Sequence, residues 1–302
     1  MQTTPYSAFL ESELGQTAPE DARFHIIPVP YEKSVSYGTG TACGPSAILQ
    51  ASQQLEVFDG FSIPAECGIH THPMVECEGS HETALQNISL NVEDVLAQNN
   101  IPVLLGGEHT VTVGAFRALK NRYPLKDIGI VQFDAHADLR NTYEGSSFSH
   151  ACVMHRALEM GFGIHQIGIR SLSPEEARLR QQVETISWLD ARRIALSGLP
   201  EPVLPPDFPA GIYITIDIDV LDPSLMPATG TPEPGGLNWH QIISALESVV
   251  HNRKVIGFDV VELAPIKGFH AADYTAARLV YDLMGIIQRE HYPDDERKTR
   301  IE

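Results

Sequence analysis

Basic residues are scarce in this chain: 21 lysines and arginines stand against 39 aspartates and glutamates in 302 residues, a formal charge of −18. A nucleic-acid binder needs basic surface to displace counterions from phosphates, so this balance argues against DNA or RNA as a partner. The same field draws in small cations. Cysteine is also sparse. Cys43, Cys67, Cys77 and Cys152 show no C-x-x-C spacing, which excludes a disulfide framework and a thiolate zinc site. No apolar run reaches the roughly 18 residues of a membrane span. The acidic start, Met1 to Gln16, lacks the apolar core of a signal peptide, so no membrane partner and a cytoplasmic location are expected. Internal repeats and low-complexity tracts are absent, and 43% hydrophobic with 20% charged residues suits a globular protein with a full core.

What is present centres on Ile128 to Arg140, an apolar β-rich run that empties into Asp134, His136 and Asp138. On an extended backbone, side chains two apart project to one side, so three metal-type donors are expected to point together. Carboxylates with imidazole and no thiolate suit Mn²⁺, with Ni²⁺, Co²⁺ or Zn²⁺ as alternatives. A second apolar run, Ile212 to Ile218, carries Asp217 and Asp219 two apart in the same way. Buried neighbouring carboxylates repel and lose hydration, a cost that a cation meets. A third run, Ile101 to Leu105, ends in Gly106-Gly107, which permits a tight turn and presents His109.

The segments Gly106-Gly107-Glu108-His109-Thr110, Asp134-Ala135-His136-Ala137-Asp138, Asp217-Ile218-Asp219 with Asp222-Pro223-Ser224, and Ala228-Thr229-Gly230-Thr231-Pro232 resemble the ureohydrolase family of arginases and agmatinases, most closely agmatinases. They come in the family's order and extend over most of the chain. The resemblance implies two Mn²⁺ per subunit, with Ni²⁺ or Co²⁺ as substitutes. Asp134 and Asp217 would bridge the ions, His109 and Asp138 complete one, and His136 and Asp219 complete the other. It further implies that His150 shuttles protons to a departing amine and that Glu262 holds a guanidinium. Glu108, beside a ligand on an extended backbone, is expected to point elsewhere, and Asp259 is left without a role.

Guanidinium is a poor electrophile and neutral water a poor nucleophile, so a hydroxide supplied between two metals addresses the limiting step. The four aspartates balance two divalent ions, and the hydroxide leaves one net negative charge that attracts a cationic substrate. The family reaction expected is hydrolysis of agmatine to putrescine and urea, a step of polyamine biosynthesis. Guanidine, guanidinobutyrate and aminopropylagmatine are alternatives, and arginine is the least favoured. Arginases carry a Ser-Gly-Asn type segment before the shuttle histidine to grip the amino-acid end of arginine; here it is Ser147-Phe148-Ser149. Glu144 or Glu32 is a candidate for meeting the far ammonium of agmatine. A zinc deacetylase of the same broad fold and a catalytically dead relative are the other classes considered. The first is disfavoured by the paired motifs and the second by the complete ligand set.

Apolar runs alternate with helical patterns: strands near 24–30, 69–75, 101–105, 128–133, 165–169, 212–218 and 255–261, and helices over 44–58, 80–98, 111–123, 149–160, from Ser173-Pro174, and over 239–251 and 271–289. Continuous apolar strands between helices imply a parallel sheet covered on both faces. The resemblance implies the arginase-like α/β fold, a doubly wound parallel sheet of eight strands. Donors spread from His109 to Asp219 can meet only within one fold, so residues 1–302 are expected to form a single domain, with Pro200 to Pro209 a surface connection. A homo-oligomer, trimer or hexamer, is implied by the resemblance alone.

Overall fold

In the computed structural model, which describes residues 7–293, the apolar runs form one sheet of eight parallel strands. They are β1 (Phe24–Val29), β2 (Ile69–Thr71), β3 (Ile101–Gly106), β4 (Ile128–Phe133), β5 (Gly163–Ile167), β6 (Ile186–Leu189), β7 (Gly211–Asp217) and β8 (Lys254–Val261). The helices are α1 (Glu11–Leu14), α2 (Gly44–Ser52), α3 (His81–Ala97), α4 (Val111–Arg122), α5 (Val153–Met160), α6 (Pro174–Gln182), α7 (Ala191–Ser197), α8 (Trp239–Val250) and α9 (His270–His291).

Two apolar clusters cover the two faces of the sheet. Ile48, Ile194, Leu246 and Leu283, from α2, α7, α8 and α9, pack on one side against Ile214 and Val260. Leu85, Phe116 and Met154, from α3, α4 and α5, pack on the other against Ile130 and Tyr213. This is the doubly wound arrangement, and strands buried on both faces account for the unbroken apolar runs. The strand order β2-β1-β3-β8-β7-β4-β5-β6 decides where the chemistry falls. After β3 the chain skips two positions to lay down β4, and β7 and β8 later fill the gap. Four adjacent central strands therefore bring their carboxyl ends together, the place where open α/β sheets bind ligands.

Local signals account for most boundaries. Ser80 caps α3 by accepting from Thr83 N, and Ser173 with Glu176 forms a full capping box at α6. Several expectations are corrected. The helix expected to reach Phe58 stops at Ser52, where Ser52 and Gln53 side chains instead bond Leu10 N, Ser12 N and Ala8 O of the N-terminal segment. The strand expected over 165–169 lies at 163–167; Gly168, at φ +94°, ends it. Only Ile69–Thr71 of the 69–75 run is strand, cut short by Pro73. The helix expected from Ser149 begins as a 3-10 turn, His150–Cys152. The eighth strand, β6, and the helix after it had no expectation, because four residues at a sheet edge are too few to show a period.

The 200–209 connection turns Val203, Leu204 and Phe208 into the core, Phe208 lying where a side chain on Gly129 would stand. No helix among the described residues is long and apolar enough to cross a membrane.

Candidate active site

His109 follows the turn at Gly106-Gly107, where a Cβ on Gly107 would stand 1.9 Å from Tyr31 O. Only glycine allows that approach. Asp134, His136 and Asp138 do converge, but not by strand alternation: β4 ends at Phe133 and the backbone then curls. Asp134 Oδ1 accepts His136 N at 2.6 Å, and Asp138 takes the left-handed conformation, φ +52°. Short carboxylate side chains favour such local turns over an extended ladder. Asp217 ends β7, and Asp219 sits in a 3-10 turn with its N–H on Asp217 Oδ1 at 2.9 Å.

The result is two groups of donors sharing one carboxylate, His109–Asp134–Asp138 and Asp134–His136–Asp219, each able to hold a metal ion. His109 Nδ1 lies 3.0 Å from Asp138 Oδ2, 3.2 Å from Asp134 Oδ2 and 3.6 Å from Asp217 Oδ2. His136 Nδ1 lies 2.9 Å from Asp219 Oδ2 and 3.6 Å from Asp134 Oδ1. Asp217 borders both groups without belonging to either. Around them Gln132 Nε2 donates to Asp134 Oδ2 at 2.7 Å, and Ala135 N donates to Asp219 Oδ1 at 3.0 Å.

Charge is strained here. Burial, then the charges of Asp219 and Asp134, pushes the Asp217 carboxyl well above the usual range, and burial with Asp134 raises Asp138 and Asp219. Asp134 alone is held down: burial opposes its ionisation, but the imidazoles of His109 and His136 beside it prevail. Burial lowers His136, yet Asp134 and Asp219 overcome this and lift it to about 12. Four buried carboxylates thus compete for two imidazoles. His109 Nδ1, fully buried, is near three of those carboxylates but makes no hydrogen bond of acceptable geometry with any. Burial lowers His109, but Asp134 and Asp138 lift it well above its usual range, so this nest of anions calls for positive charge, which a cation supplies.

Glu262, just past β8 and also left-handed at φ +63°, accepts His109 N on Oε1 at 2.7 Å and faces His150 Nδ1 at 3.3 Å. Burial lowers His150, but Glu262, with Asp138 and Glu108 behind it, holds the imidazole at about 9. His136, Asp138, His150 and Asp217 line a cavity of about 310 Å³, together with Ser36, Arg140, Tyr143, Glu176 and Thr231. A larger cavity of about 750 Å³ beside α8 and α9 holds none of these groups, so we place the chemistry in the smaller one.

Glu108 accepts Lys33 N, Ser34 N and Ser34 Oγ, so it braces a loop and is no part of the donor groups. Neither candidate for the far ammonium lines the cavity. Glu32 accepts Gly40 N, Thr41 Oγ1 and Ala42 N, which anchors the start of α2, and Glu144 is an exposed turn residue. Glu176, at 4% exposure, is a further carboxylate lining the cavity, its oxygens accepting Leu139 N and Ser173 N, and its sequence signal is only that of an acid in the first turn of α6. Thr215, Gln132 and Ser34 were also missed. For Gln132 and Thr215 the only sequence signal is strand position, Ser34 lies in the loop after β1, and what all three touch depends on neighbours far along the chain.

The profile of the arginase family matches residues 22–285. An N(1)-aminopropylagmatine ureohydrolase of Synechocystis is 38% identical, over 92% of each chain. An agmatinase of Pyrococcus horikoshii is 36% identical, over 94% of this chain and 98% of its own. The agmatine ureohydrolase structure of Thermoplasma volcanium superposes with a TM-score of 0.82 at 29% identity, covering 96% of this chain and 98% of that one. With a family match over most of its length and relatives that are hydrolases, the chain belongs to the arginase family.

Proposed function

We propose that this enzyme hydrolyses a guanidino amine, agmatine to putrescine and urea, with two Mn²⁺ in the buried donor nest. The observation that carries the reading is His109 Nδ1, buried without a hydrogen bond among Asp134, Asp138 and Asp217. An oxygen-rich set with imidazole and no thiolate fits a pair of hard or borderline divalent ions, Mn²⁺ before Ni²⁺ or Co²⁺. His109 and Asp138 would hold one ion, His136 and Asp219 the other, with Asp134 and Asp217 between them. When bound, such a pair supplies Lewis-acid charge and activates water near pH 7.

The remaining steps fall to the chain itself. Glu262 spends Oε1 on His109 N and His150, which leaves Oε2 to take a guanidinium N–H by a charge-assisted hydrogen bond. With His150 Nδ1 turned to Glu262, its Nε2 is the nitrogen left to pass a proton to the departing amine. An imidazole held at about 9 is protonated near neutrality, the state a general acid needs. Phe148 stacks on His81 at 5.3 Å and its carbonyl accepts from Thr110, so the segment before His150 is engaged in packing and offers no amino-acid clamp.

Aminopropylagmatine is the second reading, favoured by the name of the Synechocystis relative. Residues 1–302 act as one domain in this proposal, as a cytoplasmic homo-oligomer, trimer or hexamer, in polyamine synthesis. Urea release by the manganese-loaded protein, measured over agmatine, aminopropylagmatine, guanidinobutyrate, guanidine and arginine, tests reaction and substrate together. No urea from any of them overturns the proposal, and the ranking selects the substrate.

A further inference from the structure

Thr215 and Asp259 are cross-strand partners on β7 and β8, fully buried, and Thr215 shares its strand face with Asp217. Thr215 Oγ1 stands 2.6 Å from Asp259 Oδ1 and 2.8 Å from His109 Nε2. The Tyr213 hydroxyl stands 2.8 Å from Asp259 Oδ2. An ionised carboxylate only accepts hydrogen bonds, so both hydroxyls donate to Asp259. Thr215 Oγ1 then has only a lone pair to offer the imidazole. His109 Nε2 must carry a ring hydrogen, so in the neutral ring, the form that ligates a metal, Nδ1 is the bare nitrogen, the atom that faces Asp134, Asp138 and Asp217.

We infer that Asp259, acting through Thr215, is a positioning residue that sets the tautomer and ring orientation of His109 and thereby the affinity for the ion this histidine holds. The inference rests on the metal reading above. Second partners of this kind raise ligand basicity and stop the ring from turning. Polar satisfaction of the core does not require this arrangement, because Thr215 and Tyr213 already serve both oxygens of Asp259. The effect is also one-sided. His136, whose side chain is 27% exposed, has no comparable chain among the described residues, so one ion of the pair depends on the relay and the other does not.

The test is a calorimetric Mn²⁺ titration of the metal-free full-length chain as wild type, Thr215→Val and Thr215→Ser, joined to nitrogen NMR of the imidazoles in metal-free wild type. Thr215→Val keeps the shape and removes the acceptor. One ion should bind about 10- to 100-fold more weakly with the other unchanged, and Thr215→Ser should restore both. The NMR should show His109 protonated at Nε2. Wild-type affinity for both ions in Thr215→Val, or both ions weakened alike with no recovery in Thr215→Ser, overturns the relay. A His109 without a hydrogen at Nε2 in wild type overturns it without any variant, so a Val substitution that fails to fold does not protect the inference. A wild type that binds no Mn²⁺ refutes the metal reading instead, and the tautomer then judges the relay alone.

Discussion

Glu262 Oε1 accepts the backbone N–H of His109 at 2.7 Å across 153 positions of sequence. The carboxylate proposed to hold the guanidinium therefore also fixes the loop that presents a proposed metal ligand, and it reaches His150 from the same oxygen. Substrate, proton carrier and metal are tied at one residue, which itself sits in the left-handed conformation. Such backbone strain persists only where surrounding contacts over-determine it.

Glu262→Gln separates these duties, since the amide oxygen still accepts from His109 N while the charge is lost. We expect kcat/KM for the guanidino substrate to fall by about 10²-fold or more, as loss of a charge-assisted contact implies. Bound metal, measured by atomic absorption, should not change. Lost metal would make Glu262 a structural residue first.

Chelation should abolish urea release, and Mn²⁺ should restore it. Asp134 is common to both donor groups, so Asp134→Ala should lower metal content as well as activity. Full activity in a chelated, metal-free preparation would sink the two-metal reading.

His150→Ala is expected to lower kcat by about 10²-fold or more with metal content intact, as for a lost proton-transfer group. Turnover at the wild-type rate would leave His150 as a first-turn residue of its 3-10 helix and nothing more.

Agmatine should exceed arginine in kcat/KM by at least about 10³-fold, because an unpaired substrate carboxylate is rejected by several kcal/mol. Arg140 lines the cavity, but Tyr143 lies beneath its guanidinium at 5.1 Å and Glu176 lies 3.9 Å from its Nε. Comparable rates on the two substrates would show that Arg140 leaves this arrangement to pair with a carboxylate.

Acid should weaken the fold through His165, which burial first and the Arg180 charge second hold down at about 4. Its ring gives Nδ1 to Ser187 Oγ at 2.7 Å and leaves Nε2 buried without a partner. The folded value lies below the unfolded one, near 6.5, so the unfolded chain takes up a proton that the folded chain refuses. Stability is intact above about pH 6.5 and falls as pH drops toward 4, by up to about 3 kcal/mol from this residue. Thermal melts from pH 7 to 4.5 should fall less steeply for His165→Gln than for wild type; parallel slopes would remove His165 from the cause.

Much of the site could be read from the chain because a donor at the end of a strand is a local fact. Asp134, His136, Asp138, Asp217, Asp219 and His109 each follow directly on an apolar run, and the core that makes those runs apolar also fixes where they end. The helix starts near Ser80 and at Ser173-Pro174 were legible for the same reason. Periodicity says nothing of which strands become neighbours. The order that sets β8 and β7 between β3 and β4 brought Glu262 to His109 and His150, and the register of Thr215 on Asp259 joined a residue with no apparent role to a proposed metal ligand. The curl at Asp138, the short edge strand β6 and the diversion of Glu32 to the start of α2 were likewise decided by tertiary contacts. These depend on groups tens to hundreds of positions apart, whose pairing energy exists only once the sheet has assembled, whereas the alternation that marks a strand is already present in a few consecutive residues.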